Sequence, residues 1–308
     1  MDTALAVVRA VHIGSAILVF GPFAFIACGG RPLGAARPFG SLARASLGVA
    51  VATAFLWLAL ELCAMSGLPM HEALGASTLS TVLGQTTFGH VCVLRLVVAA
   101  ALVACLVAGR RASRRSSAWR VGAGICAALF LVGIAGWGHA MAQSGAVRFA
   151  HIAADGIHLL AAGAWIGALP PLVAFIDECL RDATPRGAAA AAAAAQRFSF
   201  LGIASSGAIL LSGFVNATFT VGHVAALTGS DYGRLLLAKV ALFAVILGVA
   251  AVNRGVLTPR IAHAADHAGK LRAVRQLRRN ALLEMGLAFV IIAIVGRLGI
   301  TMPGMGAS

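Results

Sequence analysis

The residues of this chain best suited to chemistry crowd into one stretch, from Gly138 to Pro171. It carries His139 and Met141, then His151, Asp155 and His158, with Trp165 beyond them. Its other residues are mostly apolar. At 100° per residue, a helix puts His151, Asp155 and His158 within about 60° of one another on one face. Trp165 falls on the same stripe. Imidazole and carboxylate groups are metal ligands and proton carriers. At membrane depth such groups are costly, and by default they suggest a site rather than packing. The bland reading is a polar patch hydrogen-bonded to neighbouring helices.

Spacing limits what this helix can do alone. His151 and His158 stand about 10 Å apart along the axis, at 1.5 Å per residue. One straight helix does not bring both to one ion. His151 with Asp155 (i, i+4), or Asp155 with His158 (i, i+3), could share one. A complete site needs ligands from other spans, and His12, His90 and His139 are the leading candidates. Alternatively the residues form two stations along a path, or Asp155 orients an imidazole that holds the metal. Glu61, with Cys63 and Met65 nearby, is open as ligand, proton carrier or ion-pair partner. Arg95 and Lys239 are read as paired charges that fix helix register. Glu284 is read as capping or pairing with the basic segment beside it.

The elements that must position these residues follow from composition. The chain has 308 residues, 60% hydrophobic and 11% charged, with mean hydropathy +0.93. A soluble domain would carry about 25% charged residues. The class is an all-α polytopic membrane helix bundle, a single integral-membrane domain over residues 1–308. A hydrocarbon core about 30 Å thick takes about 20 apolar residues in helix. Eight stretches qualify: Ala4–Cys28, Leu42–Met65, Thr87–Ala108, Trp119–Trp137, Phe149–Ile176, Phe198–Phe219, Leu235–Val252 and Ala281–Ile300. The first exceeds a signal-peptide apolar core and lacks a clear cleavage site, so it is read as a span. The six cysteines form no CxxC pair, and no disulfide framework is indicated.

The net charge of +14 is not a nucleic-acid footprint, because the cations sit in short connections between spans. The connections after spans one, three, five and seven, with Arg44 and Arg120 in the first turns of the spans they lead into, hold eighteen Lys and Arg; those on the other side hold only Arg148 and Arg234. This asymmetry puts the first set in the cytoplasm and both termini outside. Seven of the nine histidines then lie outside or in the outer half, and Met65, Met70, Met141, Met302 and Met305 lie at the outer side. Imidazole suits several transition metals, and thioether adds a preference for Cu(I), so the outer side favours copper. Met is also a common apolar filler, and Met302 and Met305 are read as incidental. The run Ala188–Ala195 is assigned no function beyond extending a helix. The basic segment Thr258–Asn280 is expected to form an interfacial helix, with His263 and His267 solvated.

Several motifs resemble the copper resistance D (CopD) family of bacterial inner-membrane proteins. They are Gly138-His139-Ala140, then His151-Ile-Ala-Ala-Asp155-Gly-Ile-His158-Leu followed by Ala164-Trp165-Ile-Gly167. Tyr232 to Lys239 with Asn253-Arg254, and Arg278-Arg279-Asn280-x3-Glu284 before the Pro303 tail, complete the pattern. Where such families often show a glycine pair after the tryptophan, this chain has Gly167-Ala168. The resemblance implies copper homeostasis at the inner membrane, where termini placed outside by the cation asymmetry are periplasmic. It also implies a partner of the periplasmic, copper-binding CopC type. No such domain is recognised in this sequence, so the partner is expected to be a separate chain.

Three functions compete. The first binds copper at the periplasmic face through His151, Asp155, His158, His139, His12, His90, Glu61 and Met141, and passes it inward. The second is an electron-transfer protein holding haem b on axial histidines. The third holds copper for a partner without transporting it. No GxxxxGK[ST] motif is present, so pumping driven by nucleotide hydrolysis is not expected, and no enzyme activity is read. The cation asymmetry predicts that reporter fusions after Gly109 and after Ser308 report opposite sides of the membrane. Reports from the same side would mean that the span count or the orientation is wrong.

Overall fold

In the computed structural model, the described residues are 2–30, 37–111, 118–137, 143–182, 184–221, 223–264 and 266–302. All regular structure among them is helical. Eight segments are long and apolar enough to cross a membrane: Asp2–Ala27, Gly40–Ser66, Thr87–Gly109, Ala118–Trp137, Gly145–Asp182, Pro185–Thr220, Asp231–His263 and His267–Leu298. Helices suit this role because every backbone N–H and C=O must be satisfied where water is absent. Large apolar side chains such as Phe149, Phe200, Leu211 and Phe214 point outward and are well exposed, as a lipid-facing surface requires.

The first spans follow the hydropathy. They are α1 (Asp2–Ala27), α2 (Arg37–Ser66), α5 (Thr87–Arg111) and α6 (Ala118–Val132), the last tightening into a 3-10 turn over Gly133–Trp137. Two short helices, α3 (Met70–Ala73) and α4 (Ala76–Gln85), cap the end where α2 leads into α5. The central span differs from a single helix over Phe149–Ile176. It consists of α7 (Gly145–Trp165) and α8 (Leu169–Asp182), with a break between them. Pro170 and Pro171 lie in the first turn of α8. They have no N–H to give the carbonyls of Ile166 and Gly167, so the α-helical ladder cannot continue through this point.

The later spans run longer than their apolar cores. Helix α9 (Pro185–Thr220) starts at Thr184, whose Oγ1 accepts from the Gly187 amide at 3.1 Å, with Pro185 in the first turn. The alanine run is therefore helix, and Ala188, Ala191, Ala194 and Ala195 of it are buried. A short helix, α10 (Ala226–Gly229), precedes α11 (Asp231–Val252), which continues as a π-helical turn over Asn253–Leu257 and then as α12 (Thr258–His263). The interfacial helix expected over Thr258–Asn280 does not form as one element. From His267 onward this basic stretch is the first part of α13 (His267–Leu298), capped by Asp266, whose Oδ1 accepts from the Gly269 amide at 3.0 Å. Ala273, Val274 and Leu277 explain this, since they give the basic stretch a buried stripe that docks on the bundle. His263 and His267 end on different helices.

Helix α1 packs against α2, α6, α7 and α13. One apolar core gathers Trp165, Phe175, Ile176, Phe198 and Ile246; a second gathers Ile13, Val19, Leu102, Phe130 and Leu131. Two close approaches join the halves. A Cβ on Gly21 would lie 1.8 Å from the Gly167 carbonyl oxygen, and one on Gly296 would lie 2.4 Å from that of Ala6. Only glycine lets these backbones meet, the usual means of close packing between membrane helices. Gly167→Leu should therefore lower the thermal midpoint of the detergent-solubilised protein, at an overpacking cost of about 1–3 kcal/mol. Gly207→Leu, at a position with nothing within 4 Å, should leave it unchanged. Equal midpoints for the two variants would disprove the close approach at Gly167.

Candidate functional site

The polar stripe of α7 faces α9, and the two helices meet in antiparallel rungs. His151 stacks on Phe219, with ring centroids 4.9 Å apart, and its Nδ1 lies 3.0 Å from Gln143 Oε1. One turn on, Asn216 Nδ2 donates to Asp155 Oδ1 at 3.2 Å. Deeper still, His158 Nδ1 lies 3.1 Å from Ser212 Oγ. Lys239 and Tyr232 of α11 both interact electrostatically with Asp155, so Lys239 has a counter-charge on the stripe.

The hydroxyl partners fix the histidine tautomers. The Ser212 hydroxyl donates its hydrogen to the Ala208 carbonyl, so its oxygen accepts from His158 Nδ1–H. The Nε2 of a neutral His158 then carries the lone pair. The same logic holds in the other half of the bundle. His12 is fully buried, its Nδ1 3.0 Å from Thr53 Oγ1, while the Thr53 hydroxyl donates to the carbonyls of Val49 and Ala50. His12 Nε2 is buried with no hydrogen-bond partner among the described residues. Trp57, Phe130 and Trp137 surround this ring.

Among the described residues no carboxylate pairs with Arg95, contrary to the pairing expected of it. It is 2% exposed, its Nε donates to the Phe130 carbonyl at 3.1 Å, and its guanidinium lies over Phe130 and Trp137 at 4.5 and 4.4 Å. Aromatic faces and a carbonyl beside the 3-10 turn thus replace a counter-ion. Its Nη1 and Nη2 have no hydrogen-bond partner among the described residues. Glu61 accepts from Trp57 Nε1 at 2.9 Å and lies 3.9 Å from Arg9 Nη1. At the same end of α2, Cys63 Sγ and Met70 Sδ are 3.6 Å apart. Glu284 also differs from expectation: it is buried, and its hydrogen bonds are to Asn253 and Trp165 rather than to the basic segment.

The structure brings His151, Asp155 and His158 onto one interface, and Glu61 to Trp57 and Arg9. His12 sits in its own aromatic enclosure. His90 is exposed, with Nε2 2.9 Å from the Gly84 carbonyl. His139 and Met141 lie outside the described residues, as does Met305. Among the described residues, no group of three or more His, Cys, Asp and Glu side chains could hold a metal ion together. This arrangement accommodates separate stations, each with one or two ligands. Sequence reasoning missed the partners Gln143, Ser212, Asn216 and Thr53. Their signal was polarity at or within apolar stretches, but their pairing depends on helix register.

Comparison with known proteins covers most of the chain. A family model described as copper resistance protein D-like, N-terminal domain, matches residues 1–149, and one described as copper resistance protein D matches residues 192–298. The chain is 31% identical to "Copper resistance protein D" of Pseudomonas syringae pv. tomato over 279 residues, which is 90% of this chain and 88% of the relative. It is 32% identical to "Inner membrane protein YebZ" of Escherichia coli K12 over 170 residues, 55% of either chain. No solved structure matches.

Thr53 is the acceptor on which the His12 ring depends. Thr53→Val keeps the shape but leaves the His12 Nδ1–H buried without a partner, at a cost of about 1–3 kcal/mol. Thermal unfolding should show that loss. Thr81→Val, which removes an exposed hydroxyl on α4, should not. No difference between the two would mean that Thr53 does not hold the ring.

Proposed function

This chain belongs to the copper resistance protein D family, and on that premise we propose that it binds copper at its periplasmic face and moves it across the bacterial inner membrane. It is a multi-pass inner-membrane protein, with both termini periplasmic in this reading. Copper is cargo here, received from a separate periplasmic copper-binding protein of the CopC type. The outer sulfur pair Cys63–Met70 and Glu61 form the first contact, and His139 and Met141, which precede the central span in the sequence, are further ligands. His151, Asp155 and His158 are successive stations on the inward path. His12 and His90 are further ligands in the other half.

The observation that carries this reading is how the imidazoles are held. His12, His151 and His158 all bind a side-chain oxygen through Nδ1. Metal-binding histidines are oriented in this way, with one ring nitrogen tied down and the other open to the ion. Sulfur at the cap suits Cu(I), and imidazole with carboxylate along the path suits Cu(II) as well. Asp155, fixed by Asn216, supplies negative charge between the two histidines of α7.

Copper titration of the purified protein, paired with copper accumulation in cells, tests the proposal. Asp155→Asn should weaken binding by about 10–100-fold, the usual scale for groups that support a metal site, and His158→Ala should weaken it more. Imidazole must be deprotonated to bind, so affinity should fall once the solution is made acidic enough to protonate the stripe. Met302→Leu should matter little. Wild-type binding and uptake by the Asp155 and His158 variants, at normal membrane levels, would show the stripe to be structural. One haem per chain, with its visible band lost on replacing His151 or His158, would establish the cytochrome reading instead.

A further inference from the structure

The other end of the bundle holds a second polar site that the copper path does not use. A cavity of about 470 Å³ lies between α7, α9, α11 and α13, walled mostly by apolar side chains such as Leu169, Phe198 and Leu247. Glu284 reaches it from α13 and is 2% exposed. Three amides lead to this carboxylate in one sense. Gln276 Nε2 donates to Asn280 Oδ1 at 2.9 Å, Asn280 Nδ2 to Asn253 Oδ1 at 2.7 Å, and Asn253 Nδ2 to Glu284 Oε1 at 2.7 Å. Gln276 is exposed at the basic end, so the chain runs from the cytoplasmic side, on the positive-inside orientation, into the bundle. Asn253 opens the π-helical turn, a local irregularity that recurs at functional sites.

We propose that Glu284 exchanges a proton with water in this cavity, and that this exchange is coupled to copper movement. The coupling clause rests on the transport reading above. The cavity is large enough for several waters and has Asn253, Ser199, Ser206 and Thr258 to hydrogen-bond them. Among the described residues no sulfur or imidazole lines it, so its donors suit a proton better than copper. Among its lining residues the other charged group is Arg254, whose guanidinium lies over the Phe200 ring at 5.6 Å rather than in an ion pair with Glu284. The elements around Glu284 otherwise present it with neutral Trp165, Asn253 and apolar groups. Both protonation states have a basis here: the neutral acid in apolar surroundings, and the carboxylate at the N–H end of three aligned amides. The step is a simple transfer, in which the carboxylic acid gives its proton to a cavity water and leaves a carboxylate and hydronium.

The full chain in lipid nanodiscs, treated with the hydrophobic reagent dicyclohexylcarbodiimide, tests the proton site without copper. The reagent adds to protonated carboxyl groups in apolar surroundings, and peptide mass spectrometry locates the adduct. Modification of Glu284 should be strong at acid pH and decline as pH rises across about 5 to 9, the range over which buried carboxyls titrate. It should be absent in Glu284→Gln. No adduct at Glu284, or an adduct independent of pH, would overturn the site. In proteoliposomes, an imposed pH gradient should change the initial rate of copper movement several-fold in wild type and in Glu284→Asp, but not in Glu284→Gln. Copper affinity at the outer stations should be equal in all three. Gradient dependence that survives in Glu284→Gln would overturn the coupling. If wild type labels normally but moves no copper, the transport reading and the coupling both fall and the proton site stands.

Discussion

A polar side chain in hydrocarbon must find its partner inside the protein, because neither water nor lipid tails will supply one. That constraint organises this bundle. On α7 it couples Asp155 and His158 to Asn216 and Ser212 of α9, so the register of two helices and the orientation of two candidate ligands are set together. On α1 it ties His12 to Thr53 of α2. At the opposite end it ties α13 to α11 through Glu284, Asn253 and Asn280. Each polar contact joins different spans, so each specifies packing as well as chemistry.

The apolar framework makes such contacts affordable. Between the polar rungs the helices meet through small residues, and α1 threads the middle with Gly21 against Gly167. The proline pair that interrupts the central span puts its break at this crossing. The polar rungs on α7 and the buried carboxylate of α13 are thereby parts of one packed body, with Trp165 hydrogen-bonded to Glu284 just before the break. Trp165 closes the polar stripe at the end next to the break and is 1% exposed.

Much of this was legible in the sequence, for definite reasons. Hydropathy located eight spans because the apolar stretches are continuous, and the period of a helix put His151, Asp155 and His158 on one face before any fold was known. The break at Ile166–Ala168 had its signal in Pro170-Pro171, but continuous apolar character outweighed it. Arg95 was misread because charge predicts a counter-charge, whereas two aromatic faces and a carbonyl took that role. The partners Ser212, Asn216 and Thr53 could not be paired from sequence, since contacts across 41 to 61 positions depend on tertiary register. Glu284 was assigned to the basic segment by proximity along the chain, and the fold turned it toward α11 instead.

The contact between Gly296 and Ala6 has a consequence for biosynthesis. These residues lie near opposite ends of the described chain, so the surface of α1 that receives α13 stays uncovered until almost every other helix has been made. Helix α1 leaves the ribosome long before α13, yet its Ala6–Ala10 surface is enclosed only once α13 has been made. The helices synthesised in between must hold their places around a gap, so the arrival of α13 is the step that closes the packing around α1.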